Sequence, residues 1–178
     1  SCMNLKELDI SSFNTENVAD MCQMFDGCAS LESIDVSHFD TGNVWDMTAM
    51  FNGCSSLQKL DLSNFNTENV TTIKDMFNGC SSLTELNLSS FNTEQITDMS
   101  GAFASCTSLT SLDLSSFTFY KDTDPEDETE IDYTDIFKDL GKNAPNRPIS
   151  IYVTDQAKAI LESANTGINQ EYAKLVVK

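Results

Sequence analysis

Residues 57–65 read LQKLDLSNF and residues 66–80 read NTENVTTIKDMFNGC, and this pair of segments decides the fold. The pair recurs along the chain at a constant period of 26 residues. The first segment is present five times, as LKELDISSF, LESIDVSHF, LQKLDLSNF, LTELNLSSF and LTSLDLSSF, beginning at Leu5, Leu31, Leu57, Leu83 and Leu109. A fixed period of this length indicates a protein built from stacked copies of one supersecondary unit.

Each copy alternates between two hydrophobic periods. Leu8 and Ile10 lie two residues apart with Asp9 between them, which predicts a β-strand. From Val18 to Cys28 the apolar residues recur at helical spacing, which predicts a short helix. We expect the residue before each helix to cap it, namely Asn14, Asp40, Asn66 or Asn92. We expect a left-handed glycine to end each helix, namely Gly27, Gly53 or Gly79.

A single copy cannot bury its apolar face, because half of the core comes from its neighbours. We therefore predict an α/β fold in which the copies stack as a right-handed leucine-rich-repeat solenoid. The five strands would form one parallel sheet on the concave face, with neighbouring strands ~4.8 Å apart. The helical segments would lie on the other side of the stack.

The stretch SLQKLDLSNFNTENVTTIKDMFNGCSSL, residues 56–83, carries a family resemblance. It is similar to the BspA-type leucine-rich repeats of bacterial surface proteins, and more narrowly to the Mycoplasma-type variant SL-x-x-LDLS-x-F-x-T-x-x-V-x-DM-x-x-MF. The resemblance covers residues 1 to about 117, and it implies an extracellular or wall-attached, adhesin-like protein without catalytic residues. Departures from the pattern, such as Ala102 in place of Met, are interpreted as packing variation.

The two ends of the chain differ from the repeats. SCMNL aligns with GCSSL, so residues 1–117 are predicted to be an N-terminally truncated repeat domain of a longer secreted protein. Residues 118–178 are predicted to be an acidic insertion followed by a C-terminal cap. In the cap, IDYTDIFKDL partly mimics a helical segment, and ISIYV (149–153) alternates as a strand. A helix capped by Thr154 or Asp155 should follow, and LVV (175–177) is a possible last strand.

Residues 122–135 hold eight carboxylates and no base. Calcium binding is one interpretation, but the run lacks the glycine and the spaced glutamate of an EF-hand loop. A solvated insertion is therefore favoured, and no other cofactor is expected.

Composition excludes several function classes. The chain carries 10 Lys and Arg against 28 Asp and Glu, a net charge of −18. Such a surface repels phosphate backbones and anionic lipid, so we expect no nucleic-acid binding. No apolar run approaches the ~20 residues of a membrane helix, so we expect no membrane insertion. His38 is the one histidine, and its column of equivalent positions, with Ser12, Asn64, Ser90 and Ser116, predicts an exposed turn residue. Without a catalytic constellation, we expect no enzyme activity.

Five of the six cysteines form one column, Cys2, Cys28, Cys54, Cys80 and Cys106. Five in a row cannot all pair, and each belongs to an apolar set, so we expect buried free thiols rather than disulfides. A zinc site would need CxxC pairs or clustered histidines. Cys22 instead replaces polar residues in its column, and we expect it to be exposed and the most reactive thiol.

The strand-centre column holds Asp9, Asp35, Asp61, Asn87 and Asp113. Like charges at this spacing raise one another's pKa unless a cation or a donor intervenes. The column could bind cations or a basic partner, or it could accept hydrogen bonds from the backbone or the neighbouring serines, and its recurrence favours the second. Binding specificity is expected in the columns that vary, which contain Lys6, Glu32, Gln58, Thr84 and Thr110, and Glu7, Ser33, Lys59, Glu85 and Ser111.

These patterns predict a monomeric bacterial surface or secreted module that binds a host or bacterial extracellular protein or glycan. The candidate partner-binding residues are Asp35, Lys59 and Asp61 on the concave face and Trp45 on the helical side. Trp45 stands where other copies have small residues, which suggests either a partner contact or local packing. The alternative function is a structural spacer solenoid that displays another domain.

Overall fold

A computed structural model describes residues 2–120 and 131–178. In order, the elements are β1 (Lys59–Asp61), β2 (Glu85–Asn87), β3 (Ser111–Asp113), β4 (Ile149–Val153), α1 (Asp155–Ser163) and β5 (Ala173–Val177). β1 pairs with β2, and β4 pairs with both β3 and β5, always in parallel. The chain is therefore of the α/β class. In the described part, no helix is long and apolar enough to span a membrane.

The strands of the repeats follow the predicted alternation. In β1, Leu60 is buried while Lys59 and Asp61 are exposed, and each residue pairs with the one 26 positions later in β2. The prediction of one five-stranded sheet is wrong, because residues 7–9 and 33–35 lie outside any strand and the described strands form two sheets. Leu8 and Ile34 are half-buried and pack against the core, as Leu86 of β2 does.

The second segments of the repeats are not helices, and that prediction is wrong. In the second copy, the amides of Ala49, Phe51 and Gly53 donate to carbonyls of the next copy at 2.7–2.9 Å. The intervening amides of Met50 and Asn52 bond three residues back within their own copy. Each segment is thus a run of tight turns whose backbone bonds alternate between its own copy and the next one.

Left-handed residues explain why these turns replace a helix. Ala49 has φ 53° and Gly53 has φ 69°, and a right-handed helix cannot contain such residues in its interior. The two equivalent columns keep a positive φ in every copy, at Gln23, Asp75, Gly101 and Asp135, and at Gly27, Gly79, Ser105 and Asp139. The predicted left-handed glycines are confirmed, but they close turns rather than helices.

The core is a column of apolar side chains continuous through the copies. Stacked phenylalanine rings lie at equivalent positions with centroids 5.4–6.4 Å apart, at Phe25, Phe51, Phe77, Phe103 and Phe137. Phe137 confirms that IDYTDIFKDL resumes the repeat. Asp132, in the same copy as Phe137, forms a parallel bridge with Asp98 of the preceding copy. These two residues are 34 positions apart, which is eight more than the repeat period of 26.

The elements predicted after the repeats are confirmed. β4 covers residues 149–153 and adds to β3, and β5 contains the predicted LVV. Thr154, rather than Asp155, caps α1, since its side chain accepts a hydrogen bond from the Ala157 amide at 3.2 Å. The boundary of the predicted cap at residue 118 stays a prediction.

Candidate functional site

A column of buried threonines joins successive copies, and sequence reasoning missed its role. Thr67 is 1% exposed; its Oγ1 donates to the Asn92 carbonyl and accepts from the Asn92 amide, both at 2.8 Å. Thr41 does the same with Asn66. The available signal was that Thr always follows the Asn or Asp that was predicted to cap a helix, at positions 15, 41, 67 and 93. This column is structural, and its polar groups are not available to a ligand.

The aspartate column of the strands is engaged in turns. The Oδ1 of each residue in it accepts the amide of the serine two positions later at 3.0–3.1 Å, for Asp9, Asp35, Asp61, Asn87 and Asp113. Hydrogen bonds from Ser37 lower the pKa of Asp35, and those from Ser63 lower the pKa of Asp61. The interpretation in which backbone donors stabilise these carboxylates is therefore confirmed.

Asp113 differs from the other aspartates because a lysine reaches it. The Lys178 ammonium forms an ion pair with Asp113 and lies 5.8 Å from the centroid of the Tyr152 ring. The bonds from Lys178, and then from Ser115, lower the pKa of Asp113 to about 2. The Lys178 side chain thus extends from the end of β5 past Tyr152 of β4 to Asp113 of β3.

Two of the predicted sheet-face residues, Lys59 and Asp61, flank the buried Leu60 and are exposed, and Asp35 is exposed one copy earlier. In the described part of the chain, Lys59 belongs to none of the ion pairs. Lys59 and Asp61 therefore lie on the exposed side of β1, whereas Asp35 lies outside any described strand.

Four cysteines of the predicted column are buried and free, namely Cys28, Cys54, Cys80 and Cys106. The thiols of the last three donate to carbonyls of the preceding copy at 3.1–3.2 Å. Burial raises the pKa of Cys54 and of Cys106 to about 12. Cys2 is exposed, contrary to prediction, because no described copy stacks on its side.

Cys22 is half-buried rather than exposed. Burial raises its pKa, and the charges of Asp46 and Asp20 raise it further. Because the thiolate is the reactive form, the prediction that Cys22 is the most reactive thiol is not supported. Asp20, Cys22 and Asp46 bring one ligand atom each within 4.8 Å of one another, a grouping that sequence reasoning missed because it arises only when copies stack.

Trp45 is 49% exposed. Its amide donates to the Ala19 carbonyl at 2.9 Å, and its carbonyl accepts from the Thr71 amide at 2.9 Å. The indole therefore lies between two small residues of its column, on a different segment from the sheet-face residues. His38 is exposed as predicted, and its Nε2 donates to the Ile10 carbonyl at 3.0 Å.

Most of the acidic run proposed for calcium, residues 122–130, lies outside the described residues. Of the two carboxylates of the run that are described, Asp132 accepts the Thr134 amide at 2.8 Å. Asp135 pairs with Lys138 at 3.0 Å. Both are accounted for by local bonds.

Comparison with known proteins gives one match. The sequence model of a family described as Mycoplasma protein of unknown function, DUF285, matches residues 1–126. No curated protein and no solved structure matches the chain. The matched range contains all five copies of the strand segment.

Proposed function

Since the chain belongs to the DUF285 family of Mycoplasma proteins of unknown function, we propose that it is a non-enzymatic binding module, exposed on a bacterial surface or secreted. Its partner would be an extracellular protein or glycan. In this proposal the copies form a right-handed leucine-rich-repeat solenoid with the strands on its concave side. Backbone bonds between residues 25 or 26 positions apart, repeated through four successive copies, support this architecture.

One observation carries the functional proposal: recurring columns form hydrogen bonds within the protein, whereas variable columns are exposed to solvent. The columns that recur with little change use their polar groups internally, as Thr67 does with the next copy and Asp61 does with Ser63. The columns that vary are exposed, and they change from Lys6 to Glu32 and from Lys59 to Glu85. Varied side chains on a fixed backbone are the arrangement by which repeat proteins recognise partners.

The sheet face is the best candidate surface, because it presents charge of both signs beside small polar groups. Lys59 lies next to Glu85 in register, and Asp61 lies next to Asn87. Such mixed charge sets orientation and selectivity more than affinity. A partner with a complementary charge pattern would therefore be favoured over a uniformly charged one.

A binding screen against extracellular-matrix proteins, mucins and glycans tests the proposal, with and without calcium. The triple variant Asp35→Asn, Lys59→Glu and Asp61→Asn is suited to it, because its charge changes cancel. Asparagine also keeps the turn, as Asn87 does when its Oδ1 accepts the Ser89 amide at 3.1 Å. Weaker binding of a saturable ligand would support the sheet face.

Unchanged binding by the folded triple variant would show that the sheet face is not the contact surface. A screen without any saturable ligand would favour the alternative, a structural spacer that displays another domain. Circular dichroism and the urea midpoint would verify that the variant folds.

A further inference from the structure

The segment around Trp45 offers an unusual surface, here called the Trp45 flank and formed by Ala19, Asp20, Trp45, Asp46 and Thr71. Trp45 is bonded through its backbone to Ala19 on one side and Thr71 on the other. Neither neighbour has a side chain large enough to cover an indole. About half of the Trp45 surface therefore stays in contact with water.

The Thr71 hydroxyl is left as a hydrogen-bond acceptor, because its hydrogen is used within the stack. It donates to the Trp45 carbonyl at 3.1 Å. The hydroxyl oxygen keeps lone pairs that can accept a bond from a ligand.

The flank is also negatively charged. Asp20 and Asp46 directly follow Ala19 and Trp45 and pair with each other as a parallel bridge. A carboxylate oxygen from each lies within 4.8 Å of the other, and each accepts one backbone amide. Neither takes part in an ion pair among residues 2–120 and 131–178. Two adjacent carboxylates without a base between them raise the local negative potential.

We propose that the Trp45 flank binds an arginine or lysine side chain of a basic protein segment. The indole face attracts a cation through its quadrupole, and the carboxylates of Asp20 and Asp46 accept charge-assisted hydrogen bonds from it. A cationic side chain brings only donors, which matches the acceptors of the Thr71 hydroxyl and of the Asp20 and Asp46 carboxylates. The inference rests on the proposed binding function and specifies the chemistry of its partner.

Trp45 provides its own probe, because it is the one tryptophan in the chain. The intact protein would be titrated with a short arginine-rich peptide while the tryptophan emission is recorded. The same peptide with glutamine for arginine, and a neutral oligosaccharide, serve as matched ligands. We expect a saturable change of emission with the arginine peptide, weakened by added salt, and no change with the other two.

Variants locate the contact. Trp45→Thr introduces the residue found at Thr71, and by calorimetry it should bind the arginine peptide about five- to thirty-fold more weakly. Asp20→Asn with Asp46→Asn keeps the turns and the tryptophan and should also weaken binding. Glu162→Gln with Glu171→Gln makes the same change of net charge on exposed sites elsewhere, and it should leave affinity within about twofold.

Three results would overturn the inference. The arginine peptide would not bind, or it would bind without a change of tryptophan emission, or the double aspartate variant and the double glutamate variant would weaken its binding equally. An emission change with the oligosaccharide alone would assign the flank to glycans instead. The aspartate pair keeps the test valid if Trp45→Thr fails to fold. If the arginine peptide does not bind, the proposed function still stands when the triple sheet-face variant weakens the binding of a ligand found in the screen.

Discussion

Replacing Thr67 by valine tests how the copies are joined. Valine has nearly the same shape as threonine but has no hydroxyl. The change removes the bond from Oγ1 to the Asn92 carbonyl and the bond from the Asn92 amide to Oγ1, each 2.8 Å long. Because Thr67 is 1% exposed, water cannot easily replace the hydroxyl, and two backbone groups lose their partner.

The expected magnitude follows from those two groups. A buried donor or acceptor left without a partner costs about 1–3 kcal/mol, so the loss of two partners in Thr67→Val should lower the free energy of unfolding by about 2–6 kcal/mol. Thr67→Ser keeps both bonds and removes one methyl group, for a loss of about 1 kcal/mol. Thr71→Val removes a similar bond to a carbonyl at an exposed position and should cost less than about 0.5 kcal/mol.

Urea unfolding followed by circular dichroism measures all three variants against the parent chain. The slope with urea should stay constant if the unfolded surface is unchanged. If Thr67→Val were no more destabilising than Thr71→Val, the threonine column would not join the copies, and the reasoning from buried hydrogen bonds would be refuted.

Three further predictions concern thiols, charge and backbone. In the native protein a thiol reagent should modify Cys2 faster than Cys22, whose pKa is raised by burial and by the charges of nearby aspartates. The four buried thiols should react only after unfolding. Faster labelling of Cys22 than of Cys2 would contradict this prediction. Lys178→Met should raise the Asp113 pKa from about 2 towards its ordinary 3.8. A depressed pKa adds stability above pH 3.8 that is lost as the pH falls towards 2. The variant should therefore lose less stability than the parent chain between these two pH values. If a carboxyl titration by nuclear magnetic resonance showed the same Asp113 pKa in both proteins, the lysine contact would be disproved. Gly101→Ala places a Cβ against the Asp75 carboxylate at φ +64°, and it should lower the free energy of unfolding by at least about 1–2 kcal/mol. Unchanged stability in urea unfolding would show that Gly101 is not left-handed.

Strands β1 to β3 were predictable, because a period of two specifies which side chains are buried and which are exposed. The same alternation at residues 7–9 and 33–35 forms no strand. Leu60 is buried and Asp61 is exposed as the alternation requires. The second segments were not, because spacings of three and one fit two different backbones. Phe51 and Cys54 would be buried in a helix, and they are equally buried in a run of tight turns. Residue type alone gave little sign of the left-handed conformation of Ala49.

The candidate site was predictable only in part. Lys59 could be selected because its column varies between copies, and Trp45 because it departs from the small residues of its column; both are exposed. The pairing of Asp20 with Asp46 was missed, because their segment was interpreted as a helix, and a helix would not bridge equivalent residues of neighbouring copies. Contacts between copies depend on backbone conformation, which hydrophobic spacing does not determine.

The central claim is that each second segment is a run of turns bonded to the next copy. Gln23 is exposed and has φ 57°, whereas Glu32 is exposed with an ordinary backbone. Glycine relieves left-handed strain of about 1–2 kcal/mol but costs about 0.4–1 kcal/mol through the unfolded chain. Gln23→Gly should therefore leave stability unchanged or raise it by up to about 1 kcal/mol, while Glu32→Gly lowers it. If urea unfolding showed that both variants lose stability equally, Gln23 would not be left-handed and the stacked-turn structure would be contradicted.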